Sequence, residues 1–420
     1  MARSPARRPR RVTSPLPSAP IRVRMYNVGF GDCFLVMFPA TAENPARKVL
    51  FDCGTIKRNP AHKTQEIVAE LIKDIAAESA DGVPHLDVVV ATHRHADHIS
   101  GFDSPLWQSV VVTEVWLPWT EADEDVQAIK LRADQERLAL ALTAAFAASP
   151  GSEELLSIAE DAVTNAKAIE TLKHGFAGTP QRRYLEAKTS GSRVIDAPSL
   201  PGISVHLLGP SRDEEALKAM DPHADESFLA LWATQAGTAP GERPAPFPDT
   251  WKCTDGQRPL DPSTEQAIRT ANDALGSELA FRLDSVLNNT SLMLVFVVGG
   301  AVLLFPGDAQ WGSWKAALND AESRRLLDRV TFLKVGHHGS HNATPKSFIH
   351  QCLAPRKLTA KIASMISVVP RGKWEIPRQP LVDALIDVTM SRTVRSDTAG
   401  PAMAPFSRNK DMWIEAEVAC

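Results

Sequence analysis

The sequence lacks any apolar run long enough to cross a bilayer. The longest stretch, Leu292 to Phe305, falls short of the ~18 consecutive apolar residues a spanning helix needs and is broken by Gly299-Gly300. It reads as two strands of a hairpin. A secretory leader is not expected, because residues 1–20 hold five arginines and five prolines but no apolar segment. That stretch is expected to be a disordered, solvated tail. Cysteine is scarce: Cys33, Cys53, Cys253, Cys352 and Cys420 form an odd, scattered set without C-x-x-C spacing. This excludes a disulfide frame and points to reduced thiols, with Cys53 a small packed hydrophobe. A strong charge of one sign is missing too. The formal net charge is -4, so a polyanion would have to be held by a local patch or by bound cations. A soluble, cytoplasmic protein without membrane contact is expected, and no fixed-period repeat is present.

What is there is a large apolar reservoir: 420 residues, 44% of them hydrophobic, enough for one big core with insertions. Strand-like patterns occupy 21–27, 33–38 and 49–51, and Leu86 to Ala91 is a continuous apolar run, as expected of a strand buried on both faces. Residues 64–79 place Ile67, Val68, Leu71, Ile72 and Ile75 on one helical face. Strands resume at 203–208, 291–298, 301–305, 330–335 and 362–369, with helices over 311–327 and 380–388. Between them, about 104–285 reads as an insertion. It contains a helical hairpin at 121–175, broken at Ser149-Pro150-Gly151-Ser152, and a Pro/Gly-rich excursion at 234–264. The expectation is an α/β fold over 21–420 with strand-rich ends and a helical insertion.

Chemistry concentrates at three strand ends. The first is His93-Arg94-His95-Ala96-Asp97-His98, three histidines and one aspartate in six residues directly after the buried run. Imidazole and carboxylate together suit zinc, manganese or iron. Alternating His93 and His95 can point the same way from extended backbone, while Asp97 and His98 enter the following turn, which feeds two adjacent metal positions. The second is Asp308, directly after the apolar strand and the Pro306-Gly307 turn, well placed to bridge two cations. The third is Lys334-Val335-Gly336-His337-His338-Gly339-Ser340-His341, where glycines leave room for a substrate beside a histidine ligand.

In this order the three signals resemble the metallo-β-lactamase superfamily, with Asp52 at the early position that shapes the turn beside the site. Asn27-Val28-Gly29-Phe30-Gly31-Asp32-Cys33, Asn288-Asn289-Thr290-Ser291-Leu292, Pro306-Gly307-Asp308, Gly336-His337-His338-Gly339-Ser340 and Arg395-Ser396-Asp397-Thr398-Ala399-Gly400 resemble the branch of ComEC-type competence proteins, in a stand-alone form without their membrane channel. The resemblance covers roughly 21–103 and 286–400. It implies a four-layer αββα sandwich and two divalent ions, zinc or manganese. His93 and His95 would hold one ion, Asp97 and His98 the other, with Asp308 bridging. His337 is placed as the last ligand and His338 as proton donor, although the sequence leaves the order of the pair open. Asp97 would orient the attacking water. Lys334, Ser340 and His341 would contact an anionic group. A further ligand would come from His174, His206 or His223, or from the Asn289–Ser291 segment, which would leave one ion less fully liganded. The implied activity is hydrolysis of phosphodiesters, nucleic acid foremost. The alternatives are a small ester, lactone or lactam, or a metal-bound binding module with little turnover.

Overall fold

The protein is described by a computed structural model covering residues 19–420, except 148–155, 157–164, 189–191, 220, 223–224, 228–278, 280–282, 370–375 and 399–403. Two sheets dominate the described residues. The first has eight strands in the order Phe406–Asn409, Trp413–Val418, Ile21–Tyr26, Phe34–Phe38, Arg47–Phe51, His85–Val90, Val111–Pro118 and Gln181–Leu185. The second has seven: Thr393–Arg395, Ala363–Ile366, Phe332–Lys334, Ala301–Phe305, Met293–Val298, Ser204–Gly209 and Val194–Ile195.

Alternation along the strands explains how these sheets stack. Val23, Val36, Phe51, Val88 and Val90 of the first sheet share one apolar core with Leu207, Leu294, Phe296, Leu303 and Phe305 of the second. At its centre Phe51 stacks on Phe305, ring centroids 4.1 Å apart. The opposite face of the first sheet, with Leu35, Leu50 and Val89, packs on Ile67, Val68, Leu71 and Ile75 of the helix Thr64–Ala77. The opposite face of the second, with Val295, Val302 and Leu304, packs on Trp314, Leu327, Leu381 and Leu385 of the helices Trp311–Asn319, Ala321–Leu327 and Gln379–Val388. The result is the four-layer αββα architecture expected of the metallo-β-lactamase fold. Among the described residues no helix is long and apolar enough to cross a membrane.

Three local differences from the sequence expectation have physical causes. The helix expected over 311–327 is two helices, because the Asp320 carboxylate accepts from the Ser323 amide at 2.8 Å and caps a new start. Val111–Pro118, within the stretch read as an insertion, is an interior strand of the first sheet. Its pattern is hidden by Glu114, a buried carboxylate satisfied by Trp116 Nε1 at 2.7 Å, by Arg183 at 3.1 Å and by the Ser199 hydroxyl. The polar segment Gln181–Leu185 completes that sheet as an edge, where a row of polar side chains is tolerated. The first arm of the expected hairpin is the helix Val126–Ala147. Its second arm ends in the helical residues Ala166–Glu170 and Thr171–Gly175, while its breaker, most of 153–164, the 234–264 excursion, most of the 1–20 tail, Cys253 and His223 lie outside the described residues.

Parallel pairing sets the site's location. Arg47–Phe51 runs parallel to His85–Val90 in one sheet, and Ala301–Phe305 parallel to Phe332–Lys334 in the other. Their C-terminal ends therefore open at the same rim, and the residues that follow each strand meet there.

Candidate metal centre

Asp52 organises the first strand end. It follows Phe51 with φ 54, a left-handed conformation that carries a cost in a non-glycine residue. From there its carboxylate accepts from the Thr92 amide and hydroxyl, both at 2.7 Å, and from His98 Nδ1 at 2.8 Å. The turn 96–99 is clamped further by Asp32 N donating to the Asp97 carbonyl at 2.8 Å and Cys53 N to that of His98 at 2.7 Å. This close approach requires Gly31, where a Cβ would fall 2.6 Å from the Asp97 carbonyl oxygen. Cys53 is fully buried, as a packed hydrophobe should be.

The second sheet supplies the opposite side. Asp308 N donates to Ser291 Oγ at 3.1 Å, and Asp308 Oδ1 accepts from the His337 amide at 3.0 Å and from Lys334 Nζ at 3.3 Å. Its other oxygen, Oδ2, is left facing His98 Nε2 at 3.1 Å. His337 and His338 both take left-handed backbone, with φ 46 and 52. That turn brings His338 Nε2 to 3.1 Å from Asp97 Oδ2, while its Nδ1 donates to the Ser367 carbonyl at 2.8 Å.

Three groups of metal-type donors have their ligand atoms within 4.8 Å of one another: beside Asp32, Asp52 and His98, the two that make up the centre are Asp97, His98, Asp308 and His338, and His93, His95 and Asp97. All six side chains are buried. Asp97 belongs to both groups. His93 Nε2 stands 3.0 Å from His95 Nδ1. Donors held tetrahedrally on one ion at about 2.0–2.2 Å stand roughly 3.3 Å apart, so contacts of 3.0–3.1 Å have the scale of a coordination shell.

Three features of the site fit a cation. His93, His98 and His338 each rest the outward ring nitrogen on an oxygen, respectively Ser291 Oγ at 3.1 Å, Asp52 Oδ2 at 2.8 Å and the Ser367 carbonyl at 2.8 Å, which turns the inward nitrogen to the cluster. That is the support metal-ligating histidines require. Asp97 Oδ1 is buried and accepts no hydrogen bond. Finally, Asp32, Asp52, Asp97 and Asp308 are buried together, and Lys334 is the buried ammonium paired among them, with Asp32 and Asp308. Buried carboxylates in excess of cations are costly unless countercharge arrives.

The histidines respond to this charge in opposite ways. Burial disfavours the His98 imidazolium, but Asp308, Asp97 and Asp52 outweigh it and hold the group well above its ordinary value. His93 is pushed well below, by burial first and then by His98 and His95, so its ring is neutral with a lone pair available. Burial pushes Asp308 up, but His98 and Lys334 outweigh it and keep the carboxylate ionised.

His338 therefore stands in the cluster, whereas His337, expected as the ligand, turns aside to Asn342 Oδ1 at 3.3 Å and Asn288 Nδ2 at 3.5 Å. Lys334, expected to touch an anionic substrate, is enclosed by Asp32 and Asp308. Ser340 is buried beside the histidine turn, its amide donating to the His337 carbonyl, and half-buried His341 lies 3.2 Å from Asp221 Oδ1. His206 is engaged by Ser204 Oγ at 3.0 Å along its own strand, and His174 lies in the turn Thr171–Gly175; neither joins a donor group. Asn289 serves the backbone, donating to the Leu217 and Ala219 carbonyls at 3.1 and 2.9 Å. Sequence reasoning missed Asp32, Asp284 and the side chain of Asn288, although Asp32 and Asn288 both lie in the segments that carried the resemblance.

No family model matches the chain, and no curated protein matches it. Among solved structures it is similar to zinc-bound PqqB from Methylobacterium extorquens, at 10% identity and a TM-score of 0.33 over 87% of this chain and 85% of that one.

Proposed function

We propose that this chain is a metal-dependent hydrolase of phosphodiester bonds, with nucleic acid as the substrate class. The observation that carries the hydrolase reading is the buried convergence of His93, His95, Asp97, His98, Asp308 and His338 at one rim of the sandwich. The preference for phosphodiesters comes from the motifs that resemble the competence-protein branch. Two divalent cations, zinc or manganese, would be held there, with His338 rather than His337 as the last ligand. When bound, they supply Lewis acidity toward water and toward charge developing on the scissile group.

The chain's own residues do the rest. Asp97, held ionised against burial by His98 and His338 and with Oδ1 free of hydrogen bonds, orients the attacking water. Asp308 presents Oδ2 to the cluster because Oδ1 is already engaged by Lys334 and the His337 amide. Lys334 offsets the carboxylate charge from inside the fold. His337, half-buried and lowered by burial to a neutral ring, is the residue of the pair left to meet a phosphate oxygen or the leaving group.

The test is cleavage of single- and double-stranded DNA by purified protein with manganese or zinc, with His95→Ala as control. Metal-dependent cutting that disappears in the variant supports the reading. Metal binding at about two equivalents with no cutting of DNA, but turnover of a small ester or lactone, would replace the phosphodiester substrate with the small-molecule alternative.

A further inference from the structure

The two metal positions are unequal. One is surrounded by Asp97, His98, Asp308 and His338. The other has His93 and His95, whose inward nitrogens stand 3.0 Å apart, and shares Asp97. Neither His174 nor His206, weighed from the sequence as its further ligand, joins a donor group among the described residues. What does reach it is Asn288, 1% exposed, whose Oδ1 lies 3.0 Å from His95 Nδ1.

The direction of that amide is fixed by its neighbour. Asn288 Nδ2 donates to Asp284 Oδ2 at 3.0 Å, one turn earlier in the helical residues 283–288. A carboxylate accepts only, so the amide nitrogen must face Asp284 and the oxygen must face His95. Asp284 also approaches the far side of the same histidine, its Oδ1 lying 3.8 Å from His95 Nε2. The carboxylate thus fixes the amide by a hydrogen bond and places negative charge near the ring. His93 is set independently by Ser291 Oγ at 3.1 Å from Nδ1.

We infer that Asn288 supplies, through Oδ1, a further ligand, beside shared Asp97, of the position formed by His93 and His95, with Asp284 as its positioning residue. This inference rests on the reading that the cluster binds metal. Its consequence is selectivity. A neutral amide oxygen is a harder and weaker donor than imidazole, and oxygen donors shift a site's preference from zinc toward manganese and magnesium. The chain then holds one ion firmly through Asp97, His98, Asp308 and His338. It holds a second loosely, at a position where manganese competes with zinc far better than at the first.

The experiment is titration of zinc and of manganese into the full, chelator-stripped chain by calorimetry, with bound metal counted by mass spectrometry. Wild type should bind two equivalents, one tight and one weak. Asn288→Ala should weaken the second equivalent at least about tenfold and leave the first unchanged. Asn288→Asp, which keeps the oxygen and adds charge, should bind the second ion at least as well as wild type. Asn288→His should raise zinc affinity there and lower the manganese-to-zinc preference. Asp284→Ala should weaken the second position alone. If Asn288→Ala fails to fold, the Asp and His variants still decide, because a purely structural amide would leave the metal preference of the second position unmoved. Two ions bound with affinities indifferent to all Asn288 variants would overturn the assignment while leaving the metal-dependent hydrolase reading intact. A wild-type chain that takes up no ion would overturn both.

Discussion

The two halves of the donor cluster are made in different ways. The half with Asp97, His98, Asp308 and His338 is assembled across the sandwich: His98 reaches Asp308 and Asp97 reaches His338, and in each pair the partners come from opposite sheets. It contains two carboxylates, stands on buried Asp52 and Lys334, and draws its histidines toward the charged form. The half with His93 and His95 is local to one strand end and is steadied by uncharged Ser291 and Asn288, its His93 kept neutral. The first half therefore combines a structural task with a chemical one, because it ties the rims of the two sheets together. The second meets the other sheet's side through the uncharged side chains of Ser291 and Asn288.

The largest expected effect comes from Asp308→Ala, which removes the carboxylate between the sheets. Turnover should fall by about a thousandfold or more, the scale of losing a principal electrostatic contributor, and bound metal should drop below two equivalents. Retained turnover would erase the distinction between the halves. Next is Lys334→Met. Leaving Asp32 and Asp308 buried without their ammonium should destabilise the ion-free protein by about 3–5 kcal/mol in denaturant melts, and the loss should shrink when metal is present. An equal loss with and without metal would place Lys334 outside the charge balance of the site.

Metal removal comes third. A chelator should lower the melting temperature, since ions at about 100 times their Kd contribute about 2.7 kcal/mol of stability. Restoring one equivalent should recover most of the shift, because the tight position is the one that joins the sheets. A shift recovered only with the second equivalent would reverse the ranking. The smallest effects separate the adjacent histidines. His338→Ala should abolish one metal equivalent, whereas His337→Ala should leave metal content intact and reduce turnover within about a hundredfold, the range of lost general acid–base assistance.

The legibility of these features in the sequence follows the range of the interactions behind them. His93-x-His95-x-Asp97-His98 was visible because its donors are contiguous and follow an apolar strand, and the helix Thr64–Ala77 because its apolar spacing is local. The order of His337 and His338 was not, because it depends on both residues adopting left-handed backbone between Gly336 and Gly339. Lys334 looked like a strand-end cation available to substrate. Only the folded partners, Asp32 from the other sheet's rim and Asp308, reveal it as an internal countercharge. Asn288 and Asn289 are adjacent and chemically identical, yet one faces His95 and the other holds backbone carbonyls. That distinction is created by Asp284 and by the segment at Leu217–Ala219. The strand Val111–Pro118 was obscured by a buried glutamate whose partners Arg183 and Ser199 lie far along the chain.

The most direct test of the central claim, that this rim is a two-ion centre, is anomalous diffraction from crystals of the manganese-loaded protein. The expected result is one strong peak within about 2.0–2.3 Å of donor atoms from Asp97, His98, Asp308 and His338, and a second, weaker peak beside His93 and His95. Crystals grown in manganese with no peak at this rim, or with the peaks elsewhere on the molecule, would contradict it.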